Sequence, residues 1–147
     1  MLAFFICNTN IRSLPNLKEQ TLEEDSKPRQ QERLSTAAAD GSACSNSTRG
    51  IYFSGYSGSY TNVIEYIQIA TTGNAVDFGD QLSNKAYGTA VSSPTRAVNM
   101  GGFNSPAATN VIEYVEIATT GNAVDFGDAD SGTIQSAGGV SNGHGGL

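Results

Sequence analysis

Side chains capable of chemistry are few in this chain and unevenly placed. The one histidine, His144, lies between Gly143 and Gly145 near the end of the sequence. An imidazole acting as general acid or base needs neighbours that fix its tautomer, and this glycine-rich stretch offers none. Cys7 and Cys44 show neither CxxC nor Cys/His spacing, so no zinc site is expected and two cysteines make no disulfide scaffold. Carboxylates gather in two places, Asp77 with Asp80, and Asp125 with Asp128 and Asp130. Asp128-Ala129-Asp130-Ser131-Gly132 is superficially like the start of an EF-hand loop. Its glycine comes one position early, and no glutamate stands at the twelfth position. Solvated turn residues are the expected role, with calcium in a loop as the lesser reading.

Glu65 and Glu113 stand inside apolar runs, beside Tyr66 and Tyr114. Each occurs in the same local sequence as the other. A catalytic centre is one unique constellation of groups, so residues that recur in this way are expected to serve packing common to both copies. The expectation is therefore of a non-enzymatic protein, with no catalytic residue, no metal ligand and no cofactor. Asn46-Ser47-Thr48 is a lone glycosylation sequon, which carries meaning only in a secreted protein.

The elements that must carry these groups are set by an internal repeat. Residues 62–80 and 110–128 match at 17 of 19 positions, at an offset of 48; only Ile67/Val115 and Gln68/Glu116 differ. Upstream the match continues at an offset of 47, with Thr48-Arg49-Gly50-Ile51 against Thr95-Arg96-Ala97-Val98, and Ser54-Gly55-Tyr56 against Gly101-Gly102-Phe103. Val140-Ser141-Asn142 opens a third copy against Val91-Ser92-Ser93. The expected organisation is a leader at 1–43, repeat 1 at 44–91, repeat 2 at 92–139, and the start of a third repeat at 140–147.

Each repeat reads as short strands. Residues 49–54 and 96–101 are β-prone runs ending in small residues. Residues 63–70 and 111–118 are rich in β-branched and aromatic side chains. Neither face of the latter runs is cleanly polar, which predicts cover on both sides. Thr72-Gly73-Asn74 and Thr120-Gly121-Asn122 signal turns, and residues 75–78 and 123–126 form short alternating strands. Residues 86–91 add a further strand. Three to four strands per repeat, covered on both faces, meet the requirements of a propeller blade; a β-solenoid or a sandwich also accommodates them. Helical repeats would need a 3.6-residue apolar period, which is absent.

The 147 residues carry a formal net charge of -6. An acidic chain repels phosphate backbones, so no nucleic-acid partner is expected, and no apolar stretch reaches the length of a membrane-spanning helix. All seventeen glycines and all six tyrosines fall after residue 40, and the charge divides as about -1 for 1–40 and -5 for 41–147. The leader holds helix-forming stretches at 16–26 and 29–39, separated by Pro28, with a thin apolar stripe, so marginal helix or disorder is expected. Met1–Cys7 is apolar but lacks the basic start and small-residue cleavage site of a signal peptide.

A small-small-aromatic triplet, a strand with an internal tyrosine, a Thr-Gly-Asn turn and an aromatic beyond it resemble the kelch repeat. In that family a Gly-Gly doublet, a Tyr, a Trp and an Arg recur. Gly101-Gly102, Tyr114, Phe126 and Arg96 match them, as do Ser54-Gly55, Tyr66, Phe78 and Arg49, with Phe in place of Trp and the doublet broken in the first copy. The wording NVIEYVEIATTGNAVDFGD and SNGHGG also resembles tandem repeats of phage tail-fibre and other virion proteins of marine viruses. The resemblance covers residues 44–147. It implies an all-β fold of kelch-like β-propeller blades and a structural or binding role in a virion, such as a tail fibre or adhesin. A cellular protein-interaction module of kelch type is the alternative. The oxidases of the family bind copper through tyrosine and histidine, which a single terminal histidine does not reproduce. Two blades and a stub leave apolar faces bare, so the implied partners are other copies of this chain or other repeat proteins, and a host-surface ligand.

Overall fold

The computed structural model describes residues 34–35, 38–130 and 132–141. These residues are all-β. Two four-stranded antiparallel sheets account for most of them: β1 (Ser42–Ser45), β2 (Arg49–Phe53), β3 (Val63–Gln68) and β4 (Val76–Asp80) form the first, paired in chain order. β5 (Thr89–Ser92), β6 (Arg96–Met100), β9 (Val111–Glu116) and β10 (Val124–Asp128) form the second in the same order, and the two-residue strands β7 (Phe103–Asn104) and β8 (Ala107–Ala108) make a small hairpin between β6 and β9.

Equivalent residues take equivalent places. Ile51 lies opposite Tyr66 and Val98 opposite Tyr114; Arg49 lies opposite Gln68 and Arg96 opposite Glu116. Both outer pairs carry an irregularity near a glycine, Gly79 in β4 and Gly127 in β10, each with a positive φ. Such a conformation favours glycine because it has no Cβ to collide with the following carbonyl.

The sheets pack face to face. One contiguous core joins Ile51, Phe53, Ile64 and Phe78 of the first to Ala97, Val115, Ile117 and Ala123 of the second half. This answers the mixed character of 63–70 and 111–118: Ile64 of β3 enters the core from one sheet, and Val115 of β9, from the opposite parity, enters it from the other. Burying one such large apolar side chain contributes roughly 1.5–3 kcal/mol.

Two details differ from the sequence expectations. First, 86–91 does contain a strand, but β5 opens the second sheet rather than closing the first. Second, β1 begins at Ser42, and the backbone pairing starts earlier still. Ala39 and Tyr56 exchange two hydrogen bonds of 2.8 Å, as Ala86 and Phe103 do at 3.0 and 2.7 Å. The helical stretch expected to end at 39 is therefore replaced at Ala39 by a β-bridge; residues 16–26 lie outside the described residues. The small pairs act differently in the two copies. Gly101 and Gly102 have φ of 67° and 116°, whereas Ser54 takes no positive φ. What Gly55 supplies is space, since a Cβ there would lie 2.2 Å from Ala39 O. The broken doublet is tolerated for that reason.

The same phase extends into the last described segment. Asp40, Tyr87 and Ser136 all adopt left-handed φ, of 60°, 61° and 53°. Tyr87 N donates to Asp40 O at 2.8 Å and Ser136 N to Tyr87 O at 2.9 Å. Ser92 Oγ donates to Ser45 O, and Ser141 Oγ in turn donates to Ser92 O. Residues 134–141 thus lie beside β5 as β5 lies beside β1.

Candidate functional site: the junction between the sheets

Of the polar groups the sequence marks, Glu113 sits at the junction and Glu65 at its counterpart on the first sheet. Glu113 is fully buried within β9. Lys85, from the link between the sheets, is buried beside it with Nζ 2.9 Å from Oε1. Leu82 N donates to Glu113 Oε2 at 2.8 Å, and Asn99 Nδ2 donates to Oε1 at 3.1 Å and to Gln81 Oε1 at 2.9 Å. Gln81 Nε2 closes the network on Ser54 O at 3.0 Å. A carboxylate without water needs this much compensation. The network pins the inter-sheet link to both sheets at once.

Glu65 is the same residue one copy earlier, and it is equally buried. Its Oε1 accepts from Ser35 N at 2.9 Å and from Ser35 Oγ, matching the bond from Leu82. Among the described residues its Oε2 has no hydrogen-bond partner. By the pairing of Ala39 with Ala86, Ala38 stands where Lys85 stands, so the link before the first sheet brings no cation at that position. Glu65 borders a groove of about 440 Å³ on the bare face of the first sheet, lined also by Leu34, Ala43, Gly50, Ile67 and Ala75.

One stack crosses each sheet. The Arg49 guanidinium lies 4.7 Å above the Tyr66 ring, which meets Phe78 edge-on at 5.8 Å; Arg96, Tyr114 and Phe126 repeat this at 4.8 and 6.0 Å. The Arg, Tyr and aromatic positions noted in the sequence are therefore one packed unit per copy. Arg49 Nη1 reaches on across the junction to Ile117 O at 2.7 Å. Arg96 has no sheet beyond it and instead pairs with Glu116 at 2.7 Å. The hydrogen bond that Arg96 Nε donates to Glu116 Oε1 is the main cause that holds Arg96 above the usual guanidinium range.

No family model and no curated protein matches this chain. The kelch resemblance therefore rests on the residues themselves.

The remaining candidates are placed as follows. Asp77, Asp80, Asp125 and Asp128 lie within β4 and β10 rather than beyond them. Asp125 Oδ1 accepts from Gly127 N at 3.0 Å, a local turn contact. Among the described residues, no three His, Cys, Asp or Glu side chains gather to hold a metal ion. His144 and Cys7 lie outside the described residues. Asn46 caps the β1–β2 turn: its Oδ1 accepts from Thr48 N and Arg49 N, both at 2.9 Å, and its Nδ2 donates to Pro94 O at 2.9 Å. Cys44 is half-buried beside the groove, and burial pushes its thiol up to about 11 against a weaker lowering by Ser92.

An aromatic rim is a further feature that sequence reasoning does not find. Tyr56 and Tyr60 meet edge-on at 5.2 Å, and Tyr60 meets Phe103 of the next copy at 6.0 Å. The Asp40 carboxylate holds the Tyr87 phenol above its usual range, with Tyr60 and Tyr56 contributing. Tyr56 and Tyr87 are exposed. The signal was present as Gly55-Tyr56 against Gly102-Phe103, but only the fold brings successive copies together.

Proposed function

We propose that this protein is a non-enzymatic structural and binding component of a virion, of tail-fibre or adhesin type, in which each four-stranded sheet is a kelch-like propeller blade. The observation that carries this reading is the identity of roles between copies. Arg, Tyr and Phe recur in sequence and form the same stack within both sheets. Residues repeated for packing build a stackable unit, and a stackable unit lengthens or closes an assembly. The chain-order pairing of four strands and the small pair after the second strand of each sheet are what the kelch resemblance leads one to expect. The aromatic rim supplies a surface for binding, since exposed tyrosines combine an apolar body with a polar tip. Among the described residues, no helix is long and apolar enough to cross a membrane.

Immunogold labelling of virus particles from the source material, with antibodies raised to this chain, tests the assignment. Label on a particle appendage is the expected result. Label confined to host-cell material would contradict it and favour the cellular interaction module.

A further inference from the structure

The two bare faces of the molecule are the two halves of the junction it already contains. Phe78 is 2% exposed where the second sheet covers it, and Phe126, its counterpart on the uncovered sheet, is 58% exposed. Ile117 is 0% exposed at the junction, and its counterpart Ile69, on the opposite end of the molecule, is 51% exposed.

The polar contacts follow the same rule. Across the junction, Gly121 N donates to Phe78 O and Ala123 N to Asp80 O, both at 2.8 Å; Asn122 Oδ1 accepts from Asp80 N at 3.0 Å. Phe126 and Asp128 repeat the first set of partners on one bare face. Gly73, Asn74 and Ala75 repeat the second set on the other. Among the described residues, nothing takes up these repeated groups across a sheet face. The groove lined by Gly50, Ile67 and Ala75 is the counterpart of the surface of Ala97, Val115 and Ala123 that meets Phe78.

We propose that a second copy of this chain docks head to tail. The bare face of the second sheet in one molecule, led by Phe126, Tyr114 and Arg96, seats on the bare face of the first sheet in the next, at Ile67, Ile69 and Gly73–Ala75. Arg96 then leaves Glu116 for the neighbour's Ile69 O, as Arg49 reaches Ile117 O. The faces differ, so the contact is heterologous and each molecule can use both. One adjustment accompanies docking. Residues 134–141 occupy the place beside β5 that the neighbour's residues 39–45 require. They are exposed almost throughout, and they yield it. The proposal rests on reading the chain as a stacking unit, and its test is independent of whether that unit sits in a virion.

Sedimentation velocity on the full chain, with two variants, decides it. The wild type is expected to form concentration-dependent species larger than a dimer. Phe126→Asp and Ile69→Asp change exposed residues at opposite ends, and each is expected to run as a folded monomer, with an unchanged far-UV spectrum. Mixed together they retain one intact face of each kind and should form a one-to-one dimer and nothing larger. On association the Ser136 amide should lose its protection from hydrogen exchange. A wild type that stays monomeric, or a mixture that does, overturns the proposal. Retained protection at Ser136 overturns the exchange of segments.

Discussion

Glu113 and Lys85 bury a carboxylate and an ammonium 2.9 Å apart where the two sheets meet. The pattern marks Glu113 as a packing residue, because Glu65 repeats it. Nothing in the pattern marks Lys85, whose counterpart by backbone pairing is Ala38 and whose type belongs on surfaces. Only the packed sheets place its ammonium beside a carboxylate out of water. Lys85→Met removes the only cation beside the buried Glu113 carboxylate among the described residues and is expected to cost about 3–5 kcal/mol. Adding Glu113→Gln should restore much of that loss, and chemical denaturation of both variants measures it. Cys44 supplies a second residue-scale prediction. With its thiol raised from the ordinary 9.0 to about 11, its thiolate fraction at pH 8 falls by about a hundredfold, and reactivity follows the thiolate. In a Cys7→Ser background, alkylation of native protein should be slower than that of denatured protein by this factor. The sign is fixed: the folded thiol holds its proton more tightly, so stability from this group is present below pH 9 and is lost as the pH rises toward 11.

At the scale of elements, the period of the repeat was legible and its phase was not. The 48-residue offset and the β-branched runs are visible in the amino acids, and β2, β3, β4, β6, β9 and β10 lie close to the expected positions. Where one sheet stops and the next starts is invisible to a tandem match, which is unchanged by sliding the boundary along the repeat. Small residues made the ambiguity worse. Ser42–Ser45 carries no large β-branched side chain, so its sequence signals no strand, and a repeat boundary after residue 91 places its equivalent β5 with the preceding repeat. The bulge glycines test the register directly. Gly79 and Gly127 have φ of 146° and 139°, but a Cβ on Gly79 would meet Gly121 O at 2.4 Å, while one on Gly127 meets nothing within 4 Å. Gly127→Ala should therefore cost only its backbone strain, about 1–3 kcal/mol. Gly79→Ala should cost clearly more, because it also pushes the sheets apart. Thermal unfolding of the two variants side by side gives the comparison.

For the whole molecule, two copies of one sequence end up in unequal surroundings. The first sheet is covered on its Phe78 side and bare on its Ile69 side; the second is covered on its Ile117 side and bare on its Phe126 side. That asymmetry could be anticipated in outline, since two stacked sheets always leave two outer faces. Which residues face outward could not, because it depends on the parity with which β3 and β9 enter the junction. Contact between unlike faces of like sheets holds this molecule together. The most direct test is thermal unfolding, at low protein concentration, of one substitution placed at equivalent positions in the two copies. Phe78→Asp buries a charge in the junction and should abolish the cooperative transition or lower its midpoint by many degrees. Phe126→Asp changes an exposed ring in the same local sequence and should leave the midpoint near that of the wild type. Equal loss of stability in the two variants, or a greater loss for Phe126→Asp, would contradict the account.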